Sequence, residues 1–374
     1  MPVSNRELLE HLLSTGRAAI DQSAIFDRSA EPLFSRTRFD RVEGMLLGLA
    51  IGDALGAVSE GMRPESRRAR FGEIRDYPPN PRAGGRPVGT PTDDSQLAFY
   101  TIEHLLDRDR LEPAALGKKF AHEPIFGIGG TVSTALRNIR RGVPWHEAGP
   151  RSAGNGALMR IAPVLLPHLR KGGKELYADA ALAAMLTHND PASTAACVAF
   201  IAMLWELLAM SRPPEQGWWV ATYLEVAQSL ENASDYKARQ PSAPAHHGRI
   251  CDYVAGQVPA ALREGLSVEA ACNRWGSGAY LLETLPSVLY ILSLHGLEPE
   301  EAIVRAVNDT RDNDTCGAIV GAAVGALHGA AALPRPWKEN LMGWLRGDDD
   351  GRIFELIALS RERWWSQDDN AHRQ

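Results

Sequence analysis

Four glycines at strict four-residue spacing, Gly317, Gly321, Gly325 and Gly329, constrain this chain more than any other feature. They fall in the uncharged run of residues 316–333, CGAIVGAAVGALHGAAAL. A period of four places them along one face of a helix. An interior glycine costs a helix about 1 kcal/mol relative to alanine, so something must offset the set. Close approach of a neighbouring helix backbone is the simplest candidate. The run therefore predicts a helix at the centre of the protein with its N-terminus held rigid. It is also long enough to span a bilayer. Its Gly/Ala content, His328 and the carboxylate cluster just before it favour a buried helix instead.

The rest of the chain reads as helix after helix. Apolar helical patterns cover residues 43–58, 96–106, 191–208, 281–295, 340–345 and 353–365, and Asp190 with Pro191 forms a capped helix start. Alternating β-branched runs are scarce, which makes the expected fold all-α. Residues 1–40 read as an N-terminal extension before a domain spanning 41–374. Leu8, Leu9, Leu12 and Leu13 give it a short amphipathic helix, followed by irregular chain. Residues 234–248, rich in proline and polar side chains, read as a surface loop or insertion.

Charge and cysteine usage narrow the function classes. The 374 residues carry 46 acidic and 40 basic side chains, a net charge of −6, with no lysine–arginine run. That argues against a sequence-independent nucleic-acid binder. Cys197, Cys251, Cys272 and Cys316 are scattered and form no CxxC pair, as fits a reducing, cytoplasmic setting. The charged N-terminus lacks the apolar core of a secretion signal, and no membrane association is expected.

Chemistry concentrates in two acidic clusters, each just before a helical run. One is Thr92-Asp93-Asp94-Ser95; the other is Asp309-Thr310-Arg311-Asp312-Asn313-Asp314-Thr315. Either alone reads as helix capping. Two of the same design imply more, because crowded carboxylates repel and a bound cation relieves them. Hard oxygen ligands without Cys or His suit Mg²⁺ or Mn²⁺. If the clusters meet, their donors are enough for two ions. Asp53, in an apolar small-residue helix, reads first as a buried acid that caps another helix or bonds backbone amides. Glu60 follows that helix. The glycine-rich segments at 126–131 and 151–160 offer backbone amides to an anion, and His188 stands at a helix start.

Assembled, the motifs GMLLGLAIGDALGAVSE, TDDSQ, GNGALMR, THNDP, SGAYLLETLP and DNDTCGAIVGAAVGALHG resemble those of the ADP-ribosylglycohydrolase family, in the family's order over residues 42–335. The resemblance implies an all-helical domain with a central cleft holding two Mg²⁺ or Mn²⁺ ions on Thr92, Asp93, Asp94, Asp312, Asp314 and Thr315. It implies catalytic roles for Glu60, Asp93 and Asp94, one of which takes a water's proton or supports the leaving group. Ser152, Gly154, Asn155, Gly156 and Met159 would line ADP-ribose, with Gly127, Gly129, Gly130 and His188 completing the pocket and Gly278 and Tyr280 at its rim. Arg311 and Asn313 depart from the family's usual GGDTDT; Asn313 leaves the ligand pattern intact, and Arg311 sets a positive charge beside the site. The implied activity is hydrolysis of ADP-ribose from protein arginine. The N-terminal segment resembles the extension of bacterial immunity members that reverse or occlude a mono-ADP-ribosyltransferase toxin. Occlusion without catalysis, or hydrolysis of serine-linked or small-molecule ADP-ribose, are the alternatives.

Overall fold

The glycine helix runs Asn313–His328, and Gly329 terminates it at φ +88° instead of extending it. In this computed structural model, which describes residues 4–34, 36–231 and 234–366, its partner is the helix Phe39–Gly56. The two run antiparallel and meet glycine on glycine. A β-carbon at Gly44 would sit 2.5 Å from the Gly325 carbonyl oxygen. One at Gly48 or Gly52 would lie closer still to that of Gly321 or Gly317, and one at Gly56 would enter the Asp314 backbone. The cost in helix propensity is offset by backbone-to-backbone contact along the whole length of both helices. The antiparallel sense has a chemical consequence: the end of one helix, with Asp53, lies against the start of the other, with Asp314.

Other helices wrap this pair and leave it almost without exposure. Pro191–Ala209, Leu281–His295, Pro299–Asp309 and Asp93–Arg108 all pack against the glycine helix. Among the described residues the strand content is one small hairpin and isolated bridges, so the fold is all-α. Among the described residues two helical stretches are long and apolar enough to cross a membrane, Phe39–Ser59 and Pro191–Ala209, and both are mostly buried inside the protein. All four cysteines are buried free thiols.

The N-terminal residues are docked on this body. Ser4 and Glu7 form a reciprocal cap on Asn5–Ser14. Leu9 and Leu12 are buried. The Asn5 side chain donates to Asp179 at 2.6 Å, and the Arg6 amide donates to Glu175 at 3.0 Å. Farther on, Ala30 pairs with Gly173 in an antiparallel bridge and Leu33 is fully buried. Phe39–Gly56 crosses the expected boundary between residues 40 and 41.

One element differs from the sequence reading. Residues 340–345 are not helical; the helix is Arg335–Glu339. The apolar residues after it run extended, with the Gly89 amide donating to the Asn340 carbonyl at 2.9 Å and the Met342 amide to that of Gly89 at 2.8 Å. Met342 and Trp344 thereby pack with Ala83, and Trp344 stacks on Phe126. Residues 234–248 form the expected surface loop. They carry an antiparallel hairpin, β1 (Tyr236–Lys237) and β2 (His247–Gly248), seated over the central cleft.

Candidate active site

Three helix ends converge beside the glycine pair, and Asp53 ties two of them. Its buried carboxylate accepts from the Thr92 amide at 2.8 Å, the Thr92 hydroxyl at 2.6 Å, and the Ser95 amide and hydroxyl. The acid at the end of Phe39–Gly56 thus caps Asp93–Arg108. It also does more: oxygens of Asp53, Asp94 and Asp314 lie within 4.8 Å of one another, and so do those of Glu60, Asp312 and Asp314. Asp314 belongs to both groups.

Arg67, fully buried, fixes the loops that present these acids. It donates to the carbonyls of Asn308, Thr310, Ser59 and Met62 and to the Ser59 hydroxyl. Asn313 reinforces the arrangement, its amide donating to Gly56, Ser59 and Val307. The residue that departs from the family pattern therefore locks the Glu60 loop to the glycine helix.

The electrostatics point to a cation. Burial and the surrounding carboxylates raise the Asp94 and Asp314 carboxyls well above the ordinary range. Asp93 is pushed up to about 7 by burial, then by Asp53 and Glu60. Asp312 reaches about 6 through burial, against the opposing bond from Asn155. Asp94 is 1% exposed, and its buried Oδ1 meets no hydrogen-bond partner among the described residues. A carboxylate oxygen left bare among other carboxylates fits a hard divalent ion, and the all-oxygen donor set fits Mg²⁺ or Mn²⁺. Thr92 stands one layer behind, its hydroxyl proton donated to Asp53, and does not line the cleft. The Thr315 hydroxyl faces it beside Met159.

These acids floor a cavity of about 1110 Å³, large enough for a nucleotide-sized ligand. Gly127, Gly129, Gly130, Ser152, Gly154, Asn155, Gly156, Met159, His188, Gly278 and Tyr280 line it together with Glu60, Asp93, Asp94, Asp312, Asp314 and Thr315. One wall is built by backbone pairing of Gly154 with Tyr280, with the Asn155 amide donating to Ala279 at 3.0 Å. From there the Asn155 side chain donates to Asp312 at 2.6 Å, which couples that wall to the acidic floor. Several lining residues were not singled out as site residues from the sequence. Arg239 lies 3.9 Å above the Tyr280 ring, Tyr236 donates to Asp190 at 2.8 Å, and Glu283 accepts from the Gly278 amide at 3.0 Å. The hairpin's cations carry no local motif; a Tyr-Lys-x-Arg run next to a proline-rich stretch was the one available signal.

A sequence model of the ADP-ribosylglycohydrolase family matches residues 35–367. The chain belongs to that family. A protein of Archaeoglobus fulgidus named only as uncharacterized is 30% identical, over 81% of this chain and 92% of its own. The ADP-ribosylarginine hydrolase Tri1 of Serratia proteamaculans is 26% identical, over 81% of this chain and 75% of its own. A solved structure titled ADP-ribosylglycohydrolase-related protein complex superimposes with a TM-score of 0.61 at 28% identity, over 87% of this chain and 99% of that one. As a member of this family the protein is a hydrolase of ADP-ribose linkages with acidic clusters that could hold metal.

Proposed function

We propose that the protein removes ADP-ribose from modified arginine side chains by metal-dependent hydrolysis of the N-glycosidic bond. The observation that carries this reading is the bare Asp94 oxygen within two overlapping carboxylate groups at the floor of a nucleotide-sized cleft. The similarity to an arginine hydrolase of Serratia proteamaculans supports the linkage. Asp93, Asp94, Asp312, Asp314 and Thr315, backed by Thr92, would hold two Mg²⁺ or Mn²⁺ ions. Such ions supply a water acidified toward neutral pH and fixed ribose hydroxyls.

The chain's own groups supply the rest. Glu60 stands at the mouth of the acidic floor, where a carboxylate takes a proton from water or supports the departing guanidine. The 126–131 and 151–159 segments line the cleft beside the acidic floor, where contacts to the phosphates and ribose would give binding energy remote from the scissile bond. Glu60, outside the set of residues that would hold the ions, offers a carboxylate to the ribose cation that develops as the bond breaks. Modified protein is the partner, and the cytoplasm, where such modification is reversed, is the proposed location.

In a bacterial setting the modification reversed would be that of a mono-ADP-ribosyltransferase toxin, with the protein as its immunity factor. Occlusion of the toxin by the N-terminal segment would require that segment to leave a seat in which Leu9, Leu12 and Leu33 are buried; catalysis carries no such cost. The experiment is incubation with arginine-modified and serine-modified proteins, with and without a chelator. The reading expects free ADP-ribose from the arginine substrate and none after chelation. Release from the serine substrate alone, or release untouched by chelation, contradicts it.

A further inference from the structure

Behind the cradle glycines lies a histidine whose neighbours settle its hydrogen bonds. His188 is 1% exposed. Its Nδ1 lies 2.9 Å from the Thr187 hydroxyl oxygen. Its Nε2 edge borders the cleft and meets no hydrogen-bond partner among the described residues. On the far side of Thr187 is Arg160, wholly buried, which donates from Nη2 to the Thr187 oxygen at 2.8 Å and to the Ala183 carbonyl at 3.0 Å.

The protons follow from this geometry. A guanidinium only donates, so the Thr187 oxygen accepts from Arg160. The hydroxyl proton then needs an acceptor, and among the described residues the one in reach is His188 Nδ1. The reverse arrangement, with Nδ1–H donating to Thr187, would leave a fully buried hydroxyl proton with no acceptor. Nδ1 therefore accepts, and a neutral imidazole carries its proton on Nε2. Burial, and then the Arg160 charge, hold His188 near a pKa of about 3, so the ring is neutral.

The cradle's glycines keep this edge open. A β-carbon at Gly154 would lie 3.2 Å from His188 Nε2, and one at Gly156 would lie 3.0 Å from Cε1. A side chain at either position would cover the imidazole. Gly154 and Gly156 thus leave a window through which a buried donor reaches the cavity.

We propose that Arg160 and Thr187 form a relay that locks His188 as an Nε2–H donor, through which the cradle reads an acceptor oxygen of the bound ADP-ribose. The ligand half of this statement rests on the reading under Proposed function; the relay itself does not. Arg160 and Thr187 touch no part of the cleft and are positioning residues. With the proton on Nδ1 instead, a nitrogen lone pair would face the ligand's oxygens and repel them.

The test is long-range ¹H–¹⁵N NMR on the full-length, ligand-free protein with ¹⁵N-labelled histidine, the His188 ring assigned by its loss in His188→Gln. The wild-type ring is expected as the Nε2–H tautomer, a measurement that needs no relay variant. Thr187→Val is expected to lose that preference and to weaken ADP-ribose binding, measured by calorimetry in Mn²⁺, roughly ten-fold. Thr187→Ser should restore the tautomer and bring affinity to within about two-fold of wild type. An Nδ1–H ring in the wild type, an unchanged tautomer in Thr187→Val, or equal affinity of the two proteins overturns the proposal. Wild-type protein that fails to bind ADP-ribose overturns the cleft reading and the ligand contact with it, while the tautomer still decides the relay.

Discussion

Asp53 joins two kinds of work that a single residue seldom combines. Its four accepted bonds hold the start of Asp93–Arg108, and its remaining charge adds to the carboxylates around Asp94 and Asp314. Removing one of the outer acids separates chemistry from fold. Asp312→Ala is expected to lower release of free ADP-ribose by at least about 100-fold, with circular dichroism unchanged. Activity near that of the wild type would mean that Asp312 holds no essential ion. A second residue-scale expectation concerns His104, whose Nε2 accepts from the Glu112 amide at 3.0 Å and is therefore neutral. Burial lowers its pKa from 6.5 to about 4. The unfolded chain binds this proton more readily than the fold, so the contribution is present above pH 6.5 and is lost as pH falls toward 4. The loss amounts to about 3 kcal/mol at most. Urea unfolding of His104→Gln across that window should show a shallower acid slope than the wild type; parallel slopes would contradict it. At this scale the paired acids were legible, because like charges at two helix starts have few structural explanations. The double role of Asp53 was not, since its hydrogen-bonding account is complete in itself and only the tertiary approach of Asp314 reveals the other.

The glycine helix and its partner show how much an element can disclose. The four-residue period announced a close neighbour but did not say which one, although Gly44, Gly48, Gly52 and Gly56 repeat the same period at the start of the family region. The pairing explains why the acids meet: two backbones in contact cannot slide without clashes. Gly321→Ala would place a β-carbon inside the Gly48 carbonyl, and is expected to destabilise by about 3 kcal/mol or more, read as a lower denaturant midpoint. Gly61→Ala, at a loop glycine with open space around it but φ +72°, should cost about 1 kcal/mol through backbone strain alone. Equal midpoints for the two variants would contradict the contact account. The misread stretch at 340–345 has the opposite lesson. Its apolar residues suit any buried conformation, and only the edge offered by Gly89 selects the extended one. The hairpin β1–β2 was illegible for a related reason: strands of two residues have no period. Replacing residues 236–248 by a short glycine–serine link should raise KM for modified protein about ten-fold and leave kcat within about three-fold, because Arg239 and Tyr236 close one wall and lie on no acidic floor. A loss confined to kcat would contradict that role.

At the scale of the whole molecule, the acidic floor makes fold and ion interdependent. Carboxylates crowded at three helix ends oppose one another in the free protein, and an ion that binds only the fold stabilises it by mass action. With Mn²⁺ at about 100 times its Kd the gain is about 2.7 kcal/mol, seen as a rise in Tm that a chelator abolishes. The N-terminal residues pack on the same body, since Leu9, Leu12 and Leu33 are buried and the helix Asn5–Ser14 is tied to Asp179 and Glu175. Their helix was legible from its leucine spacing, but the partners it docks on lie 106 to 174 positions along the chain and leave no local mark. Everything in the functional account returns to one claim, that Asp94, Asp312 and Asp314 jointly hold divalent ions. Anomalous diffraction from crystals soaked in Mn²⁺ tests it most directly. The account predicts two peaks, one bounded by Asp94 and Asp314 and one by Asp312 and Asp314; a cleft without a peak at these oxygens, or a peak elsewhere on the molecule alone, would contradict it.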